Sequence, residues 1–99
     1  MLNEIISRGL MLPDFSKDFI LTTDFSYQGL GAMLSQHCVG KNGKIIERPV
    51  AFCSRMLASN ERNYSPTEGE ALAVVFALKR FAYLLYGSKV EIRTDHRAL

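Results

Sequence analysis

The chain has little cysteine. Cys38 and Cys53 are the only two in 99 residues, and neither has a Cys or His partner at metal-ligand spacing. A disulfide framework and a zinc-binding module are therefore excluded, and of a lone bridge or two free thiols the second is expected, in a reducing compartment. No apolar run approaches the ~20 residues that cross a bilayer. Asn3 and Glu4 come early, with no basic stretch leading into an apolar one, so a signal peptide is not expected and the protein should be intracellular. Charge of one sign is also scarce. A net +2 with a sequence pI of about 8.7 suits a phosphate-binding surface without requiring one. There are no internal repeats or low-complexity stretches, and 47% hydrophobic with 22% charged residues is globular composition for one small domain.

Leu2, Ile5, Ile6 and Leu10 follow a helical spacing, and Pro13-Asp14-Phe15-Ser16 reads as a turn. Phe19 to Thr23 is apolar on both faces and ends at Asp24, which predicts a strand inside a sheet. Gly29 to Cys38 predicts a second strand, and Asn42-Gly43 a hairpin into a third, from about Ile45 to Ser54. Pro49 cannot donate to a ladder, so that third strand belongs at an edge or a bulge. Ala58 to Tyr64 reads as a loop.

Ser65, Pro66 and Glu68 then form an N-cap, a first-turn proline and a capping box. The helix they start is predicted to run to about Tyr86, with Gly87 as its C-terminal cap. Lys89 to Arg93 alternates as a last strand with one wet face. Three meander strands, a helical crossover and a strand returning parallel make an α/β fold with a mixed sheet.

Three carboxylates stand out by position. Asp24 closes the first strand and Asp95 the last. Glu70 falls on the apolar stripe of the helix, in step with Val74, Ala77, Leu78, Phe81 and Leu85. A buried carboxylate is costly unless paired, protonated or metal-bound. Three converging ones repel one another, and a hard divalent cation such as Mg²⁺ or Mn²⁺ relieves that repulsion. The matching chemistry is phosphoryl transfer with two metal ions. Each residue also has a plain structural reading: Asp24 as a turn residue, Asp95 as the N-cap of a following helix, Glu70 as a side chain reaching out from the stripe's edge. Glu68 is assigned to the capping box.

Ordered blocks of sequence resemble the RNase H domain of gypsy-type retrotransposon reverse transcriptases. They are Pro13-Asp14-Phe15-Ser16-Lys17, Phe19-Ile20-Leu21-Thr22-Thr23-Asp24, Gly29-Leu30-Gly31-Ala32-Met33-Leu34-Ser35-Gln36 and Pro49-Val50-Ala51-Phe52-Cys53-Ser54-Arg55. They continue with Glu61-Arg62-Asn63-Tyr64-Ser65, Glu68-Gly69-Glu70-Ala71-Leu72-Ala73-Val74-Val75 and Thr94-Asp95-His96-Arg97-Ala98-Leu99. The resemblance covers nearly the whole chain and implies a ribonuclease H-like mixed sheet. It implies an endonuclease that hydrolyses RNA in RNA–DNA hybrids with Mg²⁺, or Mn²⁺, held by Asp24, Glu70 and Asp95.

The family's fourth Asp and a fifth strand lie further along, so the domain is expected to be truncated at its C-terminus and incomplete as a catalyst. The alternative is a non-catalytic remnant that binds hybrid or a partner. Residues 1–12 resemble the segment that tethers the domain to the polymerase part of the polyprotein, leaving 13–99 as the partial domain. Cytoplasm, nucleus or a retroelement particle is the implied location. Gly29, Gly31 and His96 are the implied substrate-side residues: the glycines because bare backbone can approach a strand, His96 because it follows a ligand near phosphate. Two departures are visible. Gly69 stands where the family commonly has Lys, and Phe25 where a small residue is usual, with its bulk at the substrate's approach.

Overall fold

Phe19, Ile20 and Leu21 are all buried, which a strand achieves only with neighbours on both sides. In the computed structural model, which describes residues 12–94, β1 (Phe19–Phe25) has them. It lies between β2 (Gly29–Val39) and β4 (Val90–Thr94), and β3 (Ile45–Met56) closes the far side, giving the order β3-β2-β1-β4. β1 and β2 pair antiparallel, with Asp24 opposite Gly31. β2 and β3 pair antiparallel around Asn42-Gly43, where Gly43 takes the positive φ of 79° that the turn requires. β4 runs parallel to β1, from Phe19 opposite Val90 to Thr23 opposite Thr94. The mixed sheet is the one anticipated.

Pro49 is at an edge strand and at a bulge together. The ladder pairs Leu34 with Ala51 but Ser35 with Pro49, so Val50 is the extra residue. Helix α1 (Pro66–Arg80) starts at the expected cap: Ser65 Oγ accepts from the Glu68 N–H at 3.2 Å, and the Glu68 carboxylate accepts from the Ser65 N–H at 3.0 Å.

Three expectations are corrected. The helix does not run unbroken to Tyr86. It bends at Phe81, whose φ of −99° and ψ of 10° leave the helical region, and resumes as the short α2 (Ala82–Leu85) before Gly87 ends it at φ 74°. The Phe81 side chain is 2% exposed, seated in the core, and its carbonyl accepts from both Leu84 and Leu85, so packing sets the bend without Gly or Pro. The loop 58–64 contains one 3₁₀ turn, Ser59–Glu61. β4 is wet on both faces at Glu91, Ile92 and Arg93, where no described element covers the edge of the sheet. The helix expected over Leu2–Leu12, and the tether reading of residues 1–12, fall outside the described residues apart from Leu12.

Helix and sheet meet in two apolar clusters. Phe19, Leu21, Ala32, Leu34, Cys53, Ala77 and Phe81 form the larger. Leu30, Leu57 and Ala73, with Phe25, Leu72 and Phe76 packed on them, form the second, next to the start of α1. Cys38 and Cys53 are both free thiols.

Candidate active site

Asp24 is carried to the surface by strand alternation. Leu21 and Thr23 are buried on the helix side, so Asp24 faces away from it and is exposed. Two shallow clefts meet at Asp24. One is lined by Thr22, Met33 and Phe52, the other by Ser26, Gln28, Gly29 and Arg55, and Gly31 and Ser54 belong to both. Among the described residues Asp24 makes no ion pair. The arginines nearby are committed elsewhere, Arg55 to Glu61 at 2.8 Å and Arg93 to Glu47 and Glu91.

Glu70 comes from the second turn of the helix. The capping box fixes the first turn of α1, and Glu68 is used there, its carboxyl held below the usual range by the Ser65 N–H and hydroxyl. Glu70, at 7% exposure, is the one buried charged residue among the described residues. Its neighbour Gly69 locates that turn. A Cβ on Gly69 would fall inside the van der Waals envelope of the Cδ2, Cε2 and Cζ atoms of Phe25. Gly69 therefore lies against the ring of the residue after Asp24, which brings the turn bearing Glu70 to the end of β1. The Phe25 ring is half-buried on the helix and not spread across the clefts.

The two strand glycines differ. A Cβ on Gly29 would sit 2.8 Å from the Arg55 carbonyl oxygen, so the close approach of β3 accounts for that glycine. A Cβ on Gly31 would meet nothing within 4 Å, so Gly31 opens onto space directly beside Asp24. Beyond them, Arg55 and Glu61 brace the loop into α1. The carboxylate of Glu61 accepts twice from the Arg55 guanidinium and once from the Ala58 N–H, and these donors hold its pKa at about 2. The same guanidinium lies 5.5 Å from the Phe76 ring centroid. Oγ1 of Thr23 is fully buried and has no hydrogen-bond partner among the described residues.

Sequence reasoning missed the Phe25–Gly69 contact, although both residues stood out singly, and missed the Arg55–Glu61 brace. Asp95 and His96 lie outside the described residues. Among the described residues no group of three or more His, Cys, Asp or Glu could hold a metal ion. Carboxylates such as Asp24 and Glu70 are hard oxygen donors of the type that Mg²⁺ or Mn²⁺ prefers. Nor is any helix of the described residues long and apolar enough to cross a membrane.

The model of the RNase H-like domain found in reverse transcriptase matches residues 14–99. Two relatives are from Drosophila melanogaster. The retrovirus-related Pol polyprotein from transposon 297 is 48% identical over 90 residues, and that from transposon gypsy 45% over 91. Each match covers 91% of the chain but 8% of the relative, so the chain spans under a tenth of those polyproteins. Among solved structures, the foamy viral protease-reverse transcriptase in complex with dsDNA superposes with a TM-score of 0.72 at 20% identity, over 97% of this chain and 20% of that one. The same viral protein in complex with an RNA/DNA hybrid gives 0.66 at 20% identity, over 96% and 13%. At that identity the likeness is one of fold.

Proposed function

Because the chain belongs to the family of RNase H-like domains found in reverse transcriptase, we propose that it hydrolyses the RNA strand of RNA–DNA hybrids. It does so as one segment of a longer retroelement product that also carries a polymerase part. Asp24, Glu70 and Asp95 hold Mg²⁺, with Mn²⁺ as a substitute. When bound, the ions supply an activated water and stabilise the leaving 3′ oxygen. The observation that carries the reading is the contact between Gly69 and Phe25, which sets the Glu70 turn beside the strand end bearing Asp24. Asp95 is assigned as the third ligand because in the sequence it follows Thr94, whose partner on β1 is Thr23, the residue before Asp24.

The remaining residues bind and orient. Gly31 leaves room for a backbone beside Asp24, and Gly29 lets β3 close the cleft floor. His96 is assigned, on the resemblance alone, to phosphate binding. A hybrid suits such a cleft because its wide, shallow minor groove displays the RNA 2′-hydroxyls. The free thiols accord with a reducing, intracellular setting.

The test has two arms. Mn²⁺ titration should show binding to the wild-type chain that Asp24→Asn removes. Hybrid cleavage should be measured on the chain extended through the strand and Asp-bearing helix that follow in the family. Cleavage that depends on Asp24 and Glu70 supports the proposal. Tight hybrid binding with no cleavage would replace it with a non-catalytic binding module.

A further inference from the structure

Gly69 is an odd choice for its place. It sits in the first turns of α1, and glycine is a poor helix former, costing up to about fivefold in helix stability against alanine in a helix interior. The residue is buried, so solvent exposure is not the reason. The Phe25 ring is. Three of its atoms occupy the volume a Cβ would need. The ring is packed on the cluster of Leu30, Leu57 and Ala73 beside Leu72 and Phe76, so swinging away would give up those contacts. A side chain at 69 would have to push α1 off β1 by an amount on the order of 1 Å to restore ordinary carbon contacts of about 3.5–4.0 Å. Oxygen–metal distances tolerate only about 0.2 Å.

We propose that Phe25 and Gly69 act together as a positioning pair: the ring laid against bare helix backbone sets the separation of Asp24 and Glu70, each the chain neighbour of one member. The inference rests on the metal-binding role given above to those carboxylates. Phe25 and Gly69 touch neither metal nor substrate in this account. They act through the residues beside them. The two residues form one device, since a Cβ at 69 would occupy the place of the ring at 25.

A double-mutant cycle tests the pair on the full chain, read by Mn²⁺ titration calorimetry with thermal unfolding followed in parallel. Gly69→Ala should weaken Mn²⁺ binding by about tenfold or more, the scale of lost support behind a metal ligand. Phe25→Ala should weaken it by a few fold with the fold intact. In the Phe25→Ala background, Gly69→Ala should then change affinity by less than about twofold, because the clash is gone. An equal effect of Gly69→Ala in both backgrounds overturns the pair. If Gly69→Ala alone does not fold, the Phe25→Ala/Gly69→Ala chain decides, and its failure to fold or to bind as Phe25→Ala does is equally fatal. Phe25→Ala binding Mn²⁺ as the wild type does would also refute it. Asp24→Asn is the separate arm: unchanged affinity there would sink the metal site itself, with the packing cycle still legible in the unfolding temperatures.

Discussion

Two regions of the sheet treat their polar groups in opposite ways. Around Ser35 and Gln36 nearly everything polar is tied to something. Gln36 is fully buried, and its amide accepts from the Asp14 N–H at 2.9 Å while donating to the Asp14 carbonyl at 2.8 Å and the Lys17 carbonyl at 3.4 Å. Ser35 donates to Glu47 at 2.8 Å, and Glu47 pairs with Arg93 at 2.6 Å, reaching from β3 to β4. At the other end of β1, Asp24 faces two clefts with no ion pair among the described residues, and Glu70 is buried on the adjoining helix turn. The first region spends its charges on holding the strands and the entering chain together. The second keeps Asp24 available, at the one place where a glycine on the helix lets the two elements close up.

The contrast can be broken most directly at the carboxylates. Asp24→Asn and Glu70→Gln should each abolish metal-dependent hybrid cleavage in the extended chain while leaving the unfolding midpoint nearly unchanged. Glu68→Gln should retain activity, since Gln still serves the capping box. A reversal between positions 68 and 70 would mean the wrong glutamate had been chosen. Gln36→Ala should do the opposite. It leaves the Asp14 N–H and carbonyl without their partner, at a cost of about 2–3 kcal/mol in urea denaturation, with Mn²⁺ affinity unaffected. A loss of metal binding there would show that the two regions are not independent.

Thr23→Val sharpens the boundary between them. It removes a buried hydroxyl that has no partner among the described residues, at nearly constant volume, and should raise stability by about 1 kcal/mol. Destabilisation would reveal a partner for that hydroxyl.

The smallest effect concerns pH. Glu61 has its pKa lowered from 4.5 to about 2 by the Arg55 guanidinium and then by the Ala58 N–H. A depressed carboxyl stabilises the fold fully above its unfolded value and loses that contribution as pH falls through the folded one. The stability difference between wild type and Glu61→Gln should therefore be constant above about pH 5 and shrink between 4.5 and 2. A difference that grew on acidification would contradict the assignment.

Most of the fold was legible because its signals are local. A doubly apolar run marked β1 as interior, Pro49 marked an edge or a bulge, Asn42-Gly43 marked the hairpin, and Ser65 with Glu68 marked the start of α1. The bend at Phe81 was not legible. It comes from a core-seated ring rather than from Gly or Pro, and the apolar stripe reads straight through it. The tie from Gln36 to Asp14 was hidden for another reason: 22 residues separate the partners, and nothing about a glutamine in a strand announces a buried amide. At the site, Glu70 was separable from Glu68 by helix phase and capping. Phe25 and Gly69 each looked anomalous alone, and only the packing of α1 on β1 joins them. Asp95 and His96 lie outside the described residues, so their part in the site is carried by the proposal alone.

The central claim is that Asp24 and Glu70 share a metal. A crystal of the chain soaked in Mn²⁺ tests it most directly through anomalous diffraction. The account predicts a peak bridging carboxylate oxygens of Asp24 and Glu70 at about 2.0–2.4 Å, as hard divalent cations require. That peak should be absent in Asp24→Asn. Metal found only elsewhere on the surface, with those two carboxylates turned apart, would contradict it.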